Sequence, residues 1–390
     1  MERFTGVKKI LVIKLRHIGD VLLTVPAIRA LRDGLPGARI SALVNSGTEE
    51  MLTGNPLLEE VFCFDRRIKE SGSASRRIIG EIGFVRGLRQ RNFDMTVDLT
   101  GGDRPALLGF LSGARYRLGY DPAGSGFAGK KRLYTHLAPR PQGRTHTVIR
   151  DCGIGAAFGI PPIDLTVDIF TSAQDEAAID GLLKAAGIDA TTKFVHVHPA
   201  SRWLFKTWTI AGMASVLDGL QANGLRVVLT TGPSDAERKI TISITEAMKT
   251  PPVDLSGRVS LKGLAALSRR AALFFGVDSA PMHIAAATGA PVVAVFGPSG
   301  AFDWGPWDNR QASVWINDRE PDVNTPYPLK GGIQRFGRNT VIQKSWDCVP
   351  CGKDGCNGSK KSRCLDEITP EEVLKLLLEN VSLPLPQDKM

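Results

Sequence analysis

Segments typical of buried strands alternate with helix-like segments along most of the chain. A strand-like segment at residues 8–15 precedes a helix-like one at 20–33, and the alternation continues to about residue 112. It starts again near residue 194 and runs to residue 296. Regular strand–helix alternation is typical of βαβ units, whose strands pair in parallel. The pattern therefore predicts an α/β protein with two parallel sheets.

The predicted elements form two sets and a C-terminal helix. The first set has strands at 8–15, 39–44, 60–64 and 94–99 and helices near 20–33, 73–91 and 104–112. The second set has strands at 194–198, 226–231, 273–277 and 291–296 and helices near 208–223, 234–248 and 278–289. Residues 300–365, rich in Trp, Pro and Gly, are predicted to be irregular. A last helix is predicted with Thr369 as its N-cap, Pro370 first and Glu372 completing a capping box.

The length of the chain indicates more than one domain. A single compact core rarely accommodates 390 residues. The stretch at 159–175, which contains Pro161 and Pro162, is typical of a linker. We predict an N-terminal domain at 1–165, a C-terminal domain at 175–365, and a terminal helix and tail at 366–390. Two such domains place a cleft between their sheet edges, and such clefts commonly bind small molecules.

The positive charge is concentrated in the first part of the chain. Residues 1–150 contain 25 Lys and Arg against 14 Asp and Glu, a balance of +11 within a total of +9. This excess predicts an acidic partner, which could be nucleic acid, anionic lipid or an anionic sugar. A solvated basic surface that only maintains solubility is the alternative. Nucleic acid is disfavoured because the basic residues are spread over loops with little aromatic interleaving.

The turn after the first strand ends in a carboxylate. It contains one glycine, Gly19, followed by Asp20, where a helix-like segment begins. A turn that cradles a pyrophosphate is normally rich in glycine, as in G-x-G-x-x-G, so that backbone N–H groups approach the ligand. The helix dipole stabilises a carboxylate at this position. The turn therefore predicts a proton acceptor and argues against a dinucleotide oxidoreductase, while a helix N-cap is the alternative role of Asp20.

Two turns of the second half have the properties of an anion site. The first contains Ser201 and Lys206, which could offer a hydroxyl group and a compact positive charge to a phosphate. The second is the strand-to-helix turn at 278–283, whose small side chains let an oxyanion approach the N–H groups of the first helical turn. The alternatives are a surface lysine and a helix capped by Asp278.

Four of the six cysteines lie close together near the C-terminus. They follow the spacing C-x2-C-x4-C-x7-C, at Cys348, Cys351, Cys356 and Cys364. Four thiolates could hold a structural zinc ion. Zinc knots usually pair two C-x2-C hooks, however, and only one is present. Reduced loop cysteines are therefore the alternative.

Three motifs occur in order along the chain. They are the H-x-G-D turn that ends at Asp20, the H-P-x-S-R-x-x-x-K-x-W loop at 198–208, and the D-S-x-P-M-H-x-A-A block within residues 278–299. Together they resemble the ADP-heptose:lipopolysaccharide heptosyltransferase family, and the loop before Lys206 is most similar to the heptosyltransferase III branch. The resemblance covers most of the chain. It implies a GT-B fold, in which two Rossmann-like domains with parallel sheets face an interdomain cleft.

The resemblance also implies a reaction and the residues that perform it. The reaction is the inverting, metal-independent transfer of heptose from ADP-heptose to the heptose and Kdo inner core of lipopolysaccharide. Asp20 is the implied general base and Lys206 the cation that stabilises the departing diphosphate. The implied donor contacts are Ser201, Lys206, Asp235, Asp278, Ser279, Ala280 and His283. ADP-heptose is a substrate, so no cofactor is expected.

The implied acceptor accounts for the basic first half. The inner core of lipopolysaccharide carries carboxylates and phosphates, which arginines bind well. The candidate acceptor-binding residues are Arg66, Arg67, Arg115 and Arg117. Because the lipid A-core acceptor lies in a membrane, the resemblance implies a cytoplasmic protein attached peripherally to the inner membrane. The alternatives are another nucleotide sugar used by the same fold, or a basic nucleic-acid-binding protein.

Overall fold

The computed structural model describes residues 4–65, 74–318 and 324–381. The chain divides into two compact units, one formed by Met1–Phe170 with Ala312–Arg319 and the other by Thr171–Gln311 with Glu320–Met390. Each unit contains one sheet that is wholly or mainly parallel, with α-helices between most successive strands. The predicted α/β class with two parallel sheets is confirmed.

The first unit contains a six-stranded parallel sheet in the order β3-β2-β1-β4-β5-β6. Its strands are β1 (Lys9–Lys14), β2 (Arg39–Asn45), β3 (Glu60–Phe64), β4 (Met95–Asp98), β5 (Tyr116–Tyr120) and β6 (His136–Ala138). Its helices are α1 (Ile18–Leu22), α2 (Val25–Gly34), α3 (Ala74–Gln90), α4 (Asp103–Leu111) and α5 (Thr147–Ala156).

Strand β1 is covered on both faces. Leu11 and Ile13 join a core cluster with Leu88 of α3 and Leu108 of α4. Because successive side chains of a strand point to opposite faces, the side chain of Lys14 lies on the other face, where it contacts α5. A strand buried on both faces reads as a continuous apolar run, which is why β1 was recognisable in the sequence.

The second unit contains a seven-stranded sheet in the order β12-β13-β11-β10-β7-β8-β9, in which only the β12–β13 pair is antiparallel. Its strands are β7 (Phe194–His198), β8 (Arg226–Leu229), β9 (Val253–Asp254), β10 (Leu273–Val277), β11 (Val292–Phe296), β12 (Gly332–Phe336) and β13 (Asn339–Gln343).

The described part of the chain contains nine further α-helices, and one of them, α12, clusters with the first unit. They are α6 (Ala173–Ala185), α7 (Ile210–Ala222), α8 (Asp235–Ala247), α9 (Leu261–Arg270), α10 (Ala280–Ala287), α11 (Ala301–Trp304), α12 (Ala312–Asp318), α13 (Arg363–Asp366) and α14 (Pro370–Val381). The last confirms the predicted C-terminal helix, since Glu372 N donates to Thr369 Oγ1 at 3.4 Å.

Three predictions of local structure were wrong. The helix predicted at 20–33 is two helices, because Pro26 lies in the first turn of α2 and lacks the N–H that a continuous helix requires. The predicted irregular segment 300–365 contains the β12–β13 hairpin, in which Gln334 and Asn339 are buried polar residues that obscure the apolar pattern. The basic loop predicted at 115–132 includes β5.

No helix in the described parts of the chain combines the length and the apolar character needed to cross a membrane.

Candidate active site

Asp20 lies in the turn that follows β1. The helix α1 has His17 as its N-cap, in extended backbone conformation, and Asp20 as its third residue. The backbone N–H of His17 donates to Asp20 Oδ2 at 3.3 Å, and the Asp20 side chain is partly exposed. Asp20 is therefore not the N-cap itself, but as the third helical residue it caps α1 through a capping box with His17. Its carboxylate is partly exposed at the carboxyl edge of the first sheet.

A buried ion pair lies close to Asp20. Lys14 Nζ donates to Asp151 Oδ2 at 2.6 Å and to the Leu99 carbonyl at 3.1 Å, and both charged side chains are almost fully buried. Burial raises the pKa of the Asp151 carboxyl, the Lys14 ammonium lowers it, and the nearby Asp20 carboxylate raises it. This pair is not among the predicted site residues, although a lysine that ends a buried strand is a signal for one.

A second buried carboxylate ends β4 at the same edge. The Tyr134 hydroxyl donates to Asp98 Oδ2 at 2.6 Å, and the N–H groups of Thr100 and Gly101 donate to Asp98 Oδ1 at 2.8 and 3.0 Å. Burial raises the pKa of Asp98 above its ordinary value. Lys130 Nζ donates to the Gly101 carbonyl at 2.7 Å. These contacts hold the backbone beside the Asp20 turn in one conformation.

Of the four predicted acceptor arginines, the structure describes Arg115 and Arg117, and neither lies at the edge that carries Asp20. Arg66 and Arg67 lie outside the described residues. Arg117 donates to the carbonyl groups of Leu133 and Ala114 at 2.6 and 2.7 Å, and burial lowers its pKa. Arg115 and Arg117 lie at the amino end of β5. Asp20 follows the carboxyl end of β1, so in a parallel sheet these two arginines lie at the opposite edge.

In the second unit, the structure brings Lys206 and Asp278 together. Lys206 Nζ donates to Asp278 Oδ2 at 2.7 Å, and the side chain of Asp278 is 6% exposed against 20% for Lys206. The ammonium group has three donors, so this bond leaves it the capacity to bind an anion. Asp278 is not the cap of the following helix, since the N-cap of α10 is Ser279. That alternative for Asp278 is wrong.

The first turn of α10 presents small groups and backbone donors. Ser279 is in extended conformation, Ala280 is the first helical residue and Pro281 the second. Proline at this position sacrifices no hydrogen bond, because the first N–H groups of a helix have no partner within it. His283 is on the same turn and 5% exposed. The structure thus assembles the predicted residues from Asp278 to His283 around one helix N-terminus.

A row of buried hydroxyl groups lines the carboxyl edge of the second sheet. Each lies two or three residues beyond a strand of the parallel sheet, at Thr231 after β8, Ser256 after β9, Ser279 after β10 and Ser299 after β11. The oxygen atom of each is buried and has no hydrogen-bond partner among the described residues. A buried hydroxyl without a partner costs about 1–3 kcal/mol. These four groups can therefore offer hydrogen bonds to water or to a polar ligand at this edge.

Of the four residues in this row, Ser279 alone is among the predicted site residues. The signal for the other three is the recurrence of Ser or Thr just after successive strands. Ser201 follows the same rule after β7, although its hydroxyl already accepts a hydrogen bond from Trp203 N at 3.3 Å. Carboxyl ends of parallel strands meet at one edge of the sheet, which is where open α/β sheets bind ligands.

The stretch after β8 begins α8, whose N-cap is Ser234. Asp235 is an exposed residue of the first turn of α8. Glu237 is 6% exposed, its N–H donates to the Ser234 hydroxyl at 3.2 Å, and its Oε2 accepts a hydrogen bond from that hydroxyl at 2.6 Å. Asp235 therefore offers a solvent-facing carboxylate, whereas Glu237 holds the N-cap of its own helix.

Two buried histidines support the loop that carries Ser201 and Lys206. Thr230 Oγ1 lies 2.9 Å from His196 Nε2 and 3.0 Å from His198 Nδ1, and His196 Nδ1 lies 2.8 Å from the Ser268 hydroxyl. Burial lowers the pKa of His196 to about 3 and that of His198 to about 4. Both rings are therefore neutral at pH 7 and serve as hydrogen-bonding supports.

The cysteine cluster does not form a metal centre in the structure. Cys348, Cys351 and Cys356 are exposed and Cys364 is buried, with all four as free thiols. Burial and the neighbouring cysteines raise the pKa of Cys364 to about 11. Within residues 4–65, 74–318 and 324–381, no three His, Cys, Asp or Glu side chains are arranged to hold a metal ion.

Comparison with known proteins gives one consistent answer. The sequence profile of glycosyltransferase family 9 (heptosyltransferase) matches residues 82–331. Lipopolysaccharide heptosyltransferase 3 of Escherichia coli is 32% identical over 308 residues, which is 78% of this chain and 88% of that protein.

Two solved structures have the same fold. The glycosyl transferase family 9 protein from Veillonella parvula superposes with a TM-score of 0.75 at 21% identity, covering 96% of this chain and 97% of that one. E. coli ADP-heptose lps heptosyltransferase II superposes with a TM-score of 0.70 at 19% identity, covering 96% and 98%. The predicted fold class is thereby confirmed. By its sequence profile and its relatives, this chain belongs to glycosyltransferase family 9, the heptosyltransferases.

Proposed function

We propose that this enzyme transfers heptose from ADP-heptose to the heptose and Kdo inner core of lipopolysaccharide. The observation that carries the proposal is the row of buried, unpartnered hydroxyls at the edge where Lys206 and the start of α10 also lie. Such an edge suits the diphosphate and sugar hydroxyls of a nucleotide sugar. The names of two relatives, lipopolysaccharide heptosyltransferase 3 and ADP-heptose lps heptosyltransferase II, support the choice of donor and acceptor.

The donor contacts follow from this geometry. The Ser279 hydroxyl and the N–H groups at the start of α10 bind the diphosphate, since a helix N-terminus favours an anion. Lys206 adds a positive charge, and its bond to Asp278 holds the ammonium in place. Thr231 and Asp235 bind the adenosine side of the donor. Ser201 and His283 complete the site as the resemblance implies.

The transfer step requires a base and a stabilised leaving group. Asp20 accepts the proton of the acceptor hydroxyl as its oxygen attacks the anomeric carbon. The bond from that carbon to the diphosphate breaks, and the ADP that departs carries the developing negative charge. Lys206 and the start of α10 stabilise this charge, which is the task that a divalent cation performs in metal-dependent transferases. Attack opposite the leaving group inverts the anomeric configuration.

The acceptor determines where the enzyme works in the cell. A lipid A-core acceptor is anchored in a bilayer, so we propose that the enzyme attaches peripherally to the cytoplasmic face of the inner membrane. The basic balance of +11 over residues 1–150 supports this proposal, because anionic lipids attract basic surfaces.

One assay tests donor, acceptor and reaction. The purified enzyme is incubated with ADP-heptose, UDP-sugars and GDP-sugars together with truncated inner-core acceptors, and products are identified by mass spectrometry. Addition of one heptosyl unit from ADP-heptose is expected, with the anomeric configuration of the donor inverted in the NMR spectrum and no loss of rate in EDTA. Transfer only from another nucleotide sugar would show that the donor is wrong. Binding of nucleic acid without any sugar transfer would contradict the whole proposal.

A further inference from the structure

Helices α3 and α4 carry several of the large apolar side chains that are exposed in the described part of the first unit. Helix α3 exposes Ile78, Ile79 and Ile82, with 59%, 69% and 62% of their surface accessible. Helix α4 exposes Leu107 and Phe110 at 41% and 47%. We call these five residues the α3/α4 apolar surface. Isolated exposed apolar residues are ordinary, but a contiguous group marks an interaction site.

Helices α3 and α4 form one layer on one face of the sheet. Arg104 Nη1 pairs with Glu81 Oε1 at 2.7 Å and so joins the middle of α3 to the beginning of α4. The side chain of Arg89, near the end of α3, lies against Gly113, just past the end of α4. Both helices bury their inner side chains, Leu88 and Leu108, against the sheet. The α3/α4 apolar surface is therefore the outer side of a single helical layer.

Basic side chains flank this surface. Arg86 and Arg89 of α3 are exposed, and Arg115 is exposed just beyond α4. Proteins bind anionic bilayers by combining two kinds of contact. Apolar side chains enter the acyl region, and neighbouring arginines bind the lipid phosphates. The acidic residues of the same two helices, Glu81 and Asp103, pair with Arg104 and Lys130, so the three arginines leave a positive charge that lipid phosphates complement.

The α3/α4 layer extends from the edge of the sheet that carries Asp20, where α4 begins, to the opposite edge, where Arg115 lies. Helix α4 begins at the carboxyl end of β4, and the loop that follows the carboxyl end of β5 exposes Phe127 at 40%. This loop packs against the start of α4, since a Cβ on Gly126 would touch Asp103. The Asp20 turn follows β1, the neighbour of β4, at the same edge.

We propose that the α3/α4 apolar surface, with Arg86, Arg89 and Arg115, is the face by which this protein binds an anionic lipid bilayer. The inference rests on the proposed function, because it places the Asp20 edge beside the membrane that holds a lipid-linked acceptor. The occupant is the bilayer itself, with apolar side chains in its interface and arginines on its phosphates.

The test uses vesicles of phosphatidylethanolamine and phosphatidylglycerol and the full chain. The variant Ile78→Ser/Ile79→Ser/Ile82→Ser removes apolar area without a change of charge. The matched control is Ile163→Ser/Ile242→Ser/Ile333→Ser, since these isoleucines are also exposed, at 71%, 52% and 43%, away from α3 and α4. Sedimentation with vesicles should fall about 10-fold or more in the first variant and stay unchanged in the control. Arg86→Gln/Arg89→Gln should lower it about five-fold for each charge removed.

Activity measurements separate this inference from the proposed function. The α3 isoleucine variant should transfer heptose to a water-soluble core oligosaccharide at the normal rate and to vesicle-bound acceptor at a reduced rate. If the wild-type enzyme transfers no heptose to either acceptor, while vesicle binding still depends on the three isoleucines, the proposed function is wrong but the membrane-binding role of the α3/α4 apolar surface is supported. Equal vesicle binding by both isoleucine variants would contradict that membrane-binding role. So would a wild-type dimer in light scattering that the α3 variant converts to a monomer.

Discussion

At the scale of single residues, Asp20 is the group on which the proposed chemistry depends. Asp20→Asn keeps the size of the side chain and removes its basicity, so kcat should fall about 10²–10⁴-fold. The affinity for ADP, measured by calorimetry, should stay unchanged. Asp33→Asn, an exposed carboxylate of α2, is the matched control and should keep full activity. Near-normal turnover by Asp20→Asn would show that another group takes the proton.

The buried histidines make stability depend on pH. Their pKa values are about 3 for His196 and about 4 for His198 in the folded protein, against 6.5 for an ordinary histidine. Between these values and pH 6.5, the two histidines bind more protons in the unfolded chain than in the folded protein. Their contribution to the free energy of unfolding is therefore fully present above pH 6.5 and is lost as the pH falls. Acidification from pH 7 to pH 5 should lower the free energy of unfolding by about 2 kcal/mol for each of these histidines.

Chemical denaturation at the two pH values checks this expectation. His196→Gln should show a smaller loss of stability on acidification than the wild type, by about 2 kcal/mol. An identical pH dependence in the variant and the wild type would mean that His196 already carries its proton in the folded state.

At the scale of elements, the ligand edge of the second sheet depends on close pairing of β7 and β10. A Cβ on Gly276 would lie 2.7 Å from the carbonyl oxygen of His198, a backbone atom that cannot move without disturbing the pairing. Gly276→Ala should therefore lower the unfolding free energy by about 1–3 kcal/mol. Gly181 lies in α6 with nothing within 4 Å of its Cβ position, and Gly181→Ala should add roughly 0.5–1 kcal/mol. Thermal unfolding of both variants measures the contrast, and destabilisation by Gly181→Ala would contradict it.

The elements also show where prediction from sequence works. Strands β1, β10 and β11 were recognisable because a strand covered on both faces is apolar throughout. The β12–β13 hairpin was missed because Gln334 and Asn339 satisfy their polar groups with backbone atoms, which no local pattern reveals. The break between α1 and α2 was missed although Pro26 signalled it.

At the scale of the whole molecule, bound ADP should stabilise mainly the second unit, which carries the proposed donor site. A ligand bound only to the folded state at about 100 times its Kd raises stability by about 2.7 kcal/mol. Calorimetry should therefore show a higher midpoint for the ADP complex, and hydrogen exchange should slow in the segments after β7, β8, β10 and β11. Lys206→Ala, compared with its own ligand-free form, should lose most of this shift. Slowed exchange confined to the first unit would contradict the assignment of the donor site.

The sequence by itself determined the periodic elements and the chemistry of the motifs. Alternating apolar segments produce two parallel sheets, and the turn at Asp20 and the loop at Lys206 carry groups suited to proton transfer and anion binding. These features depend on neighbours along the chain, so a local pattern records them.

Only the tertiary structure decided which residues meet. Lys206 and Asp278 are 72 residues apart, and Lys14 and Asp151 are 137 apart. Unpartnered hydroxyls after four separate strands become one row because the carboxyl ends of parallel strands share an edge. Arg115 and Arg117 lie at the opposite edge of the first sheet from Asp20, because strand order and register determine the edge at which a residue lies. Strand order and register arise from packing between distant segments, and a local pattern contains no record of that packing.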